Sequence, residues 1–497
     1  MDKSRAAGSV ASSVAGSVAD YIDSIGELLM GISDAVWDYA ETAFEEYRSA
    51  AIFKETLARQ GFTVEDKTGG IDTAFCAGYG SGKPVIGILA EYDALSGLSQ
   101  KALALTEEKR GGKEDNGNGH GCGHNLLGAG ALGAALAVKE YLAANKLPGT
   151  VKLFGCPGEE GGSGKAFMAR AGVFEGLDVA FTWHPFAVNA VMEMKLLANY
   201  QVLYKFRGKA AHAAASPHLG RSALDAVELM NVGVNFLREH VIPEARIHYA
   251  ITHTGGFSPN VVQARGEVLY LIRSPRLPQV EEIYRRVNKI AQGAALMTET
   301  DVEIEFIKAC ADVIPNKTLG RVLYDNFKAQ ELPRYTAEEA AYAAALAKTS
   351  LKPPGSEAAM FLSNAGKEQA EYAKRLGEKK LCDLVLPFYD ETPEPVYPGS
   401  SDVGDVSWNV PTAQIAAACY ALGTAEHSWQ LVSQTRSSLG HKGLLLAAKV
   451  IAAACVDVLE HPELAEKAKA EWERRLEGHP YRSAIPPEVK PRPIGTI

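Results

Sequence analysis

The distribution of apolar residues predicts a layered α/β protein. Val85 to Ala90 is an apolar run that reads as a buried strand and ends in Glu91-Tyr92-Asp93-Ala94-Leu95. Val151 to Gly155 and Leu177 to Trp183 read the same way. The first delivers Glu159-Glu160 and the second delivers His184. Ala413 to Ala421 is also apolar and leads to His427. Helical spacing appears between these runs. Ile22, Ile25, Leu28 and Leu29 recur on one face, as do Ile52, Leu57 and their neighbours before Gly61, so residues 20–60 predict two amphipathic helices. Asn125 to Ala144 predicts a helix rich in Ala, Leu and Gly, suited to close packing on a sheet. Leu444 to Leu459 predicts a last core helix. Strand, loop, helix, strand is the rhythm of a mostly parallel sheet sandwiched by helices. Residues 101–118 are charged and Gly-rich and predict a loop that shapes the pocket. Residues 333–400 predict helices, Pro-rich turns and a long irregular connection. The Pro-rich tail from His479 predicts an extended surface segment.

The pattern changes near residue 199. Tyr200 to Arg207 alternates like a half-buried strand, and Gly220 to His240 has helical spacing. Arg246 to His253 and Glu267 to Arg273 read as strands, Val280 to Ala295 as a helix, and Asp301 to Ile307 alternates again. The order βαββαβ is the ferredoxin-like split unit. The expected division is therefore a catalytic unit over 1–198, an inserted α+β domain over 199–312, and the rest of the catalytic unit over 313–497.

Length agrees with more than one domain: 497 residues, 46% hydrophobic, suffice for a large core. The net charge of −9 and the lack of a Lys/Arg cluster argue against a nucleic-acid partner. Seven scattered cysteines, an odd number, fit a reducing cytoplasm better than a disulfide framework. Met1 to Asp20 is rich in Ala, Ser and Gly and lacks the apolar core of a signal peptide, so residues 9–18 read as a frayed helix start. No uninterrupted apolar run reaches the ~18 residues that a membrane span needs, so no membrane partner is expected.

Candidate chemistry begins at Gly119-His120-Gly121-Cys122-Gly123-His124-Asn125. The glycines allow a tight turn that brings Cys122 and His124 to one ion, and a thiolate with an imidazole suits zinc, with manganese or cobalt as alternatives. A Cys-Gly-His loop alone ordinarily means nothing; the downstream residues give it weight. Glu159-Glu160 leave a strand together, so one carboxylate can bind metal while the other moves a proton. His184 and His427 complete a ligand-like set of residue types, although a lone histidine is more often structural. Asp93 would orient a ligand histidine or cap its own turn. His212, in Gly208-Lys209-Ala210-Ala211-His212-Ala213, would stabilise an oxyanion. Asn260 would donate a hydrogen bond, and Arg273 would grip a carboxylate through two parallel bonds. Taken singly, these three also read as ordinary surface polar residues. Asp402 and Asp405 read as turn formers rather than ligands.

These residues resemble the metallopeptidase family that holds aminoacylases, glutamate carboxypeptidases and plant auxin-conjugate hydrolases. The resemblance rests on Glu91 to Leu95, Gly119 to Gly128, Cys156 to Gly162, Thr182 to Pro185, Ala211 to Ala226, Ser258 to Val262, Ala294 to Thr300, Asp402 to Trp408 and His427 to Gln434. It implies two divalent ions held by Cys122, His124, Glu160, His184 and His427, with Cys122 in the bridging position. Glu159 would be the general base that activates water and then the acid that protonates the leaving amine. The inserted domain would be a lid and dimerisation domain. Through it, His212 and Asn260 would reach the partner's active site, and Arg273 would hold the substrate carboxylate. The implied substrate is a small amide: p-aminobenzoyl-glutamate or another aroyl or acyl amino acid, with a dipeptide or an aromatic amine for deamination as alternatives. A homodimer is expected, or a heterodimer with a homologous A-type chain, which in one reading is needed for activity. Two departures stand out: Gly121 and Asn125 replace the Ala and Asp usual in the amidohydrolase branch, and Trp429 replaces a Pro after His427-Ser428.

Overall fold

The computed structural model describes residues 17–493 apart from 351, 354, 364, 365, 367 and 390. Most of the segment expected to be a frayed helix start, 9–18, lies outside the described residues. In chain order the strands are β1 (Thr63–Asp66), β2 (Phe75–Ser81), β3 (Val85–Glu91), β4 (Gly149–Cys156), β5 (Val179–Phe186), β6 (Ala190–Val191) and β7 (Lys195–Leu196). They continue with β8 (Ala198–Arg207), β9 (Arg246–His253), β10 (Arg265–Ser274), β11 (Asp301–Cys310), β12 (Val396–Tyr397) and β13 (Thr412–Ala418). The large sheet runs β1-β2-β4-β3-β5-β13-β6. Its centre, β4-β3-β5-β13, is parallel throughout, and antiparallel strands close both edges.

Alternation along the strands feeds two cores. Ile86, Ile88 and Ala90 of β3 face the helices His124–Asn145 and Ser438–Glu460. Leu89, with Phe154 and Ala180 of the neighbouring strands, faces the opposite layer, which includes the helix Gly164–Arg170. The helix His124–Asn145 lies directly against the sheet because it has no side chain where it touches. A Cβ on Gly130 would stand 2.7 Å from the Trp183 ring, and one on Gly128 would stand 2.7 Å from the Glu91 carbonyl oxygen. Such overpacking costs about 1–3 kcal/mol. By length and hydropathy this helix is apolar enough to cross a bilayer, but 83% of its most apolar window is buried inside the protein, as befits a core helix.

β8 to β11 form a separate antiparallel sheet in the order β11-β8-β10-β9, backed by the helices Ala223–Leu237 and Leu277–Thr298. This is the ferredoxin-like arrangement, inserted between β6 and β13 of the large sheet. One face carries Tyr200, Val202, Val268, Tyr270 and Ile272 into the helices; the other faces the large sheet's strand ends. β7 and β12 make a small parallel pair beside it.

Several elements differ from the sequence expectation. β1 and β2 were not anticipated. A further helix, Glu463–Leu476, follows the one expected to be last. The 101–118 loop does not line the active cavity. It docks on the helix Gly26–Tyr39: Arg110 donates to the Trp37 and Asp38 carbonyls, and Asp115 accepts from Ser99, Gly111 and Gly117.

Asp402 and Asp405 lie in a turn, where the Asp405 amide donates to the Asp402 carbonyl, and both are buried acceptors as well. Asp405 accepts from the Ala311 amide at 2.9 Å and the Tyr481 hydroxyl at 2.7 Å. Burial pushes its carboxyl up to about 7. The unfolded chain loses this proton near about 3.9, so between roughly pH 4 and 7 the unfolded state binds fewer protons, and this group's contribution to stability falls as pH rises. Asp405→Asn should remove that slope. Its stability relative to wild type should rise by on the order of 1–4 kcal/mol from pH 4 to pH 7, read from denaturant midpoints. A constant difference across that window would refute the raised carboxyl.

Candidate metal centre

The parallel strands deliver their chemistry at their carboxyl ends, where open α/β sheets place sites. β3 ends at Glu91 and is followed by Asp93. β4 leads into Glu159 and Glu160 through a turn in which Gly158, Gly161 and Ser163 have positive φ. β5 carries His184 near its end, and β13 leads to His427. The loop Gly119–Gly123 supplies Cys122 and opens the helix that begins with His124; Gly123, at φ +80°, makes that entry.

The side chains converge. Ligand-type atoms of Cys122, His124 and His184 lie within 4.8 Å of one another, as do those of Cys122, Glu160 and His427. Cys122 is common to both groups. Its Sγ is 3.4 Å from His184 Nε2, and His427 Nε2 is 3.2 Å from Glu160 Oε1. Asp93 Oδ1 lies 3.0 Å from His124 Nδ1, while Asp93 Oδ2 accepts from the Glu160 amide at 2.8 Å. One carboxylate thus fixes the ring of His124 and the turn bearing Glu160, leaving His124 Nε2 aimed inward. His184 Nδ1 contacts the Pro185 carbonyl at 2.8 Å, which leaves its Nε2 toward Cys122. His427 is exposed and held at φ +55°, with its amide bonded to the Gly121 carbonyl at 2.9 Å. A left-handed histidine is strained and persists because the surrounding structure fixes it.

The donor set fits cations. His124 Nε2 and Glu160 Oε1 are buried and face only other ligand-type groups, Glu91 Oε2 at 3.3 Å and His427 Nε2 at 3.2 Å. Burial and Glu160 push the Cys122 thiol up, but the His184 and His124 rings outweigh them and bring it down to about 6. Burial opposes the His184 proton, yet Cys122 raises that ring to about 9. Hydrogen bonds to Cys122 and Glu160 raise His427 to about 11. A half-buried thiol and a buried carboxylate facing three imidazole rings are a donor set that suits divalent ions.

A third acid-rich group joins Glu91, His124 and Glu159. Glu91 is already engaged: Lys165 Nζ lies 2.6 Å from Glu91 and 2.7 Å from Asp402, all three buried. This triad holds the turn carrying Glu159 and Glu160 against β3. Neither Glu91 nor Lys165 stands out in the sequence as a site residue. The available signal is a carboxylate closing an apolar strand, which requires a buried cation nearby.

A cavity of about 360 Å³ opens over the centre. Cys122, Glu159, Glu160, His184 and His427 line one side, and Asn199, Gln201, Arg273 and Lys308 of the inserted sheet line the other. Arg273 Nη1 donates to Ser400 Oγ at 3.0 Å, and its Nε is buried without a partner. His212 and Asn260 are not in this cavity. Both are outside it and adjacent to each other: the Ala213 amide donates to the Asn260 carbonyl, and His212 bridges Val261. Asn125 is also apart from the centre; its amide donates to Ser33 Oγ and the Thr435 carbonyl.

Residues 88–372 match the model of peptidase family M20/M25/M40. The chain belongs to this family. It is a hydrolase of amide bonds with an inserted domain in the family's manner. It is 48% identical over 476 residues to a subunit of the p-aminobenzoyl-glutamate hydrolase of Escherichia coli (strain K12), covering 96% of this chain and 98% of that protein. It is 33% identical over 324 residues to the Xaa-Arg dipeptidase of Mus musculus, covering 62% of this chain and 70% of that one. Among solved structures, a Bacillus subtilis protein described as a dinuclear metal binding peptidase from the M20 family superposes with TM-score 0.54 at 17% identity, over 88% of this chain and 99% of that one.

Proposed function

We propose that the chain hydrolyses the amide bond of p-aminobenzoyl-glutamate or a related N-acyl or aroyl amino acid. The observation that carries this reading is one cavity with two donor groups sharing Cys122 on one side, Glu159 beside them, and Arg273 opposite. His124 and His184 would complete one metal site with Cys122, and Glu160 and His427 the other, with zinc or manganese as the expected ions and cobalt as a substitute. When bound, two such ions supply the charge that polarises a carbonyl and lowers the pKa of water toward neutrality.

The protein's own groups do the rest. Arg273 holds the carboxylate of the amine half and sets the amide over the centre. Glu159 takes a proton from the attacking water and returns it to the departing nitrogen. Burial, followed by the Glu91, Glu160 and Asp402 carboxylates, raises Glu159 well above the usual carboxylate range, which favours its holding that proton between the two steps. The inserted unit, 199–312, acts as a lid because its sheet forms the far wall of the cavity.

His212 and Asn260 serve a partner subunit's site in this reading. Supporting it, the helix Ala223–Leu237 exposes Leu229, Val232 and Phe236, and the edge strand β9 exposes Tyr249 and Ile251. An unpaired edge beside an apolar helix face suits pairing with a second copy. A homologous A-type chain is the alternative occupant, favoured by the Escherichia coli relative's being named as a subunit.

The test is metal content and glutamate release from p-aminobenzoyl-glutamate, measured on the purified chain alone. Close to two ions per chain with turnover, abolished by chelation and restored by manganese or zinc, is the expected result. Turnover only on adding an A-type chain would establish the heteromeric reading. Failure to bind any divalent ion would sink the centre itself.

A further inference from the structure

The inserted sheet presents two cations to the cavity, and among the described residues neither meets a carboxylate within ion-pairing distance. Arg273 is half-buried and donates only to Ser400. Lys308 is 7% exposed and donates only to Ser163 Oγ, at 3.0 Å. Lys165, by contrast, is fully buried and paired with both Glu91 and Asp402. A buried ammonium with one neutral acceptor is costly unless an anion arrives.

The backbone is shaped to put Lys308 there. β11 pairs with β8 in regular register from Asp301 opposite Arg207 to Phe306 opposite Val202. The register then shifts, and Lys308 stands opposite Gln201. Without that bulge Lys308 would oppose Tyr200, whose ring packs with Phe306 and Tyr284 on the helix side. The extra residue turns Lys308 to the cavity face, beside Gln201 and on the same face as Arg273. Bulges re-aim side chains in this way next to active sites.

We infer that Lys308 is a specificity-determining residue: it binds a second carboxylate, on the side chain of the substrate's amine half, while Arg273 binds the first. The site then selects amides of dicarboxylic amino acids. Neutral side chains leave the Lys308 ammonium buried and unpaired, and basic ones meet two like charges. The inference rests on the hydrolase reading above for the orientation of the amide. The rival role for Lys308 is as a prop for the Ser163 turn.

The experiment compares p-aminobenzoyl-L-glutamate with p-aminobenzoyl-L-glutamine, which is nearly isosteric and lacks only the second charge. Wild type should favour the glutamate amide in kcat/KM by about 10- to 150-fold, the range of one charge-assisted hydrogen bond. Lys308→Gln should bring the ratio to within about threefold by losing the glutamate amide alone. If Lys308 is only a prop, both substrates fall together and the ratio survives, which overturns the inference; equal rates in wild type overturn it too. Affinities of both amides for Glu159→Gln protein, measured calorimetrically, separate the two readings. Absence of turnover of either amide, with and without an added A-type chain, would sink the p-aminobenzoyl-glutamate reading, while the affinity ratio would still report the Lys308 contact. Equal affinities, or no binding of either amide, would refute that contact.

Discussion

Replacing Glu159 by Gln should lower kcat by roughly 10²- to 10⁴-fold, the usual contribution of a positioned general base, while the metal content stays at the wild-type level. The side chain keeps its size and its place on the turn after β4, but it no longer carries a proton between water and leaving nitrogen. Metal should be retained because Glu159 belongs to neither group that shares Cys122. The group it does join includes Glu91, which Lys165 already occupies at 2.6 Å. KM should change little, since substrate is held from the opposite wall. The measurement is steady-state kinetics alongside elemental analysis of the same preparation. Activity within about tenfold of wild type, with metal bound, would show that another group moves the proton.

The candidate centre was legible in sequence because most of its residues follow apolar strands, while Cys122 and His124 come from the glycine-rich turn that opens the helix His124–Asn145. Apolar runs locate β3, β4, β5 and β13 without reference to any partner, and Asp93, Glu159, Glu160, His184 and His427 lie on or just beyond those ends. What sequence left out depended on pairings between distant segments. Glu91 and Lys165 meet although they lie far apart along the chain, and nothing local says which buried carboxylate a lysine will find. Asp402 sits in Gly-Ser-Ser-Asp-Val-Gly, a composition that reads as a turn, and nothing local says that it will be buried against Lys165.

The same reasoning explains the missed elements. β2, Phe-Cys-Ala-Gly-Tyr-Gly-Ser, has glycines where alternation would need side chains, and it exists because β1 and β4 pair with it on either side. The helix Glu463–Leu476 is mostly charged and buries only a narrow stripe that includes Ala465 and Ala468. Lys308 looks like the polar end of an alternating strand. Only the bulge in the β8 pairing, a tertiary feature, turns it into the cavity. Periodicity therefore reports which residues face a core; it does not report the register that sets where the charged ones go.

Cys122→Ala should have the widest effect on the centre, because its thiol is the one ligand-type atom common to both donor groups. Losing His184 strips a ligand from the first group only, and losing His427 from the second only. Losing Cys122 opens both. Its thiol, brought down to about 6 by the flanking imidazoles, is a thiolate at neutral pH, and alanine offers no donor in its place. Affinity for each ion should fall by more than the about 10- to 100-fold typical of losing an outer-shell partner. The purified variant should then hold well under one ion per chain and show no turnover, whereas His184→Ala should keep about one ion. Stability should fall in the same order, since ions that bind only the folded chain stabilise it by mass action. Elemental analysis and melting temperatures with and without added manganese or zinc make the comparison. Two ions retained in Cys122→Ala would mean that the two groups are independent sites, and that the shared thiol does not couple them. A single ion lost in both variants would instead place Cys122 in one site alone and leave the second to Glu160 and His427.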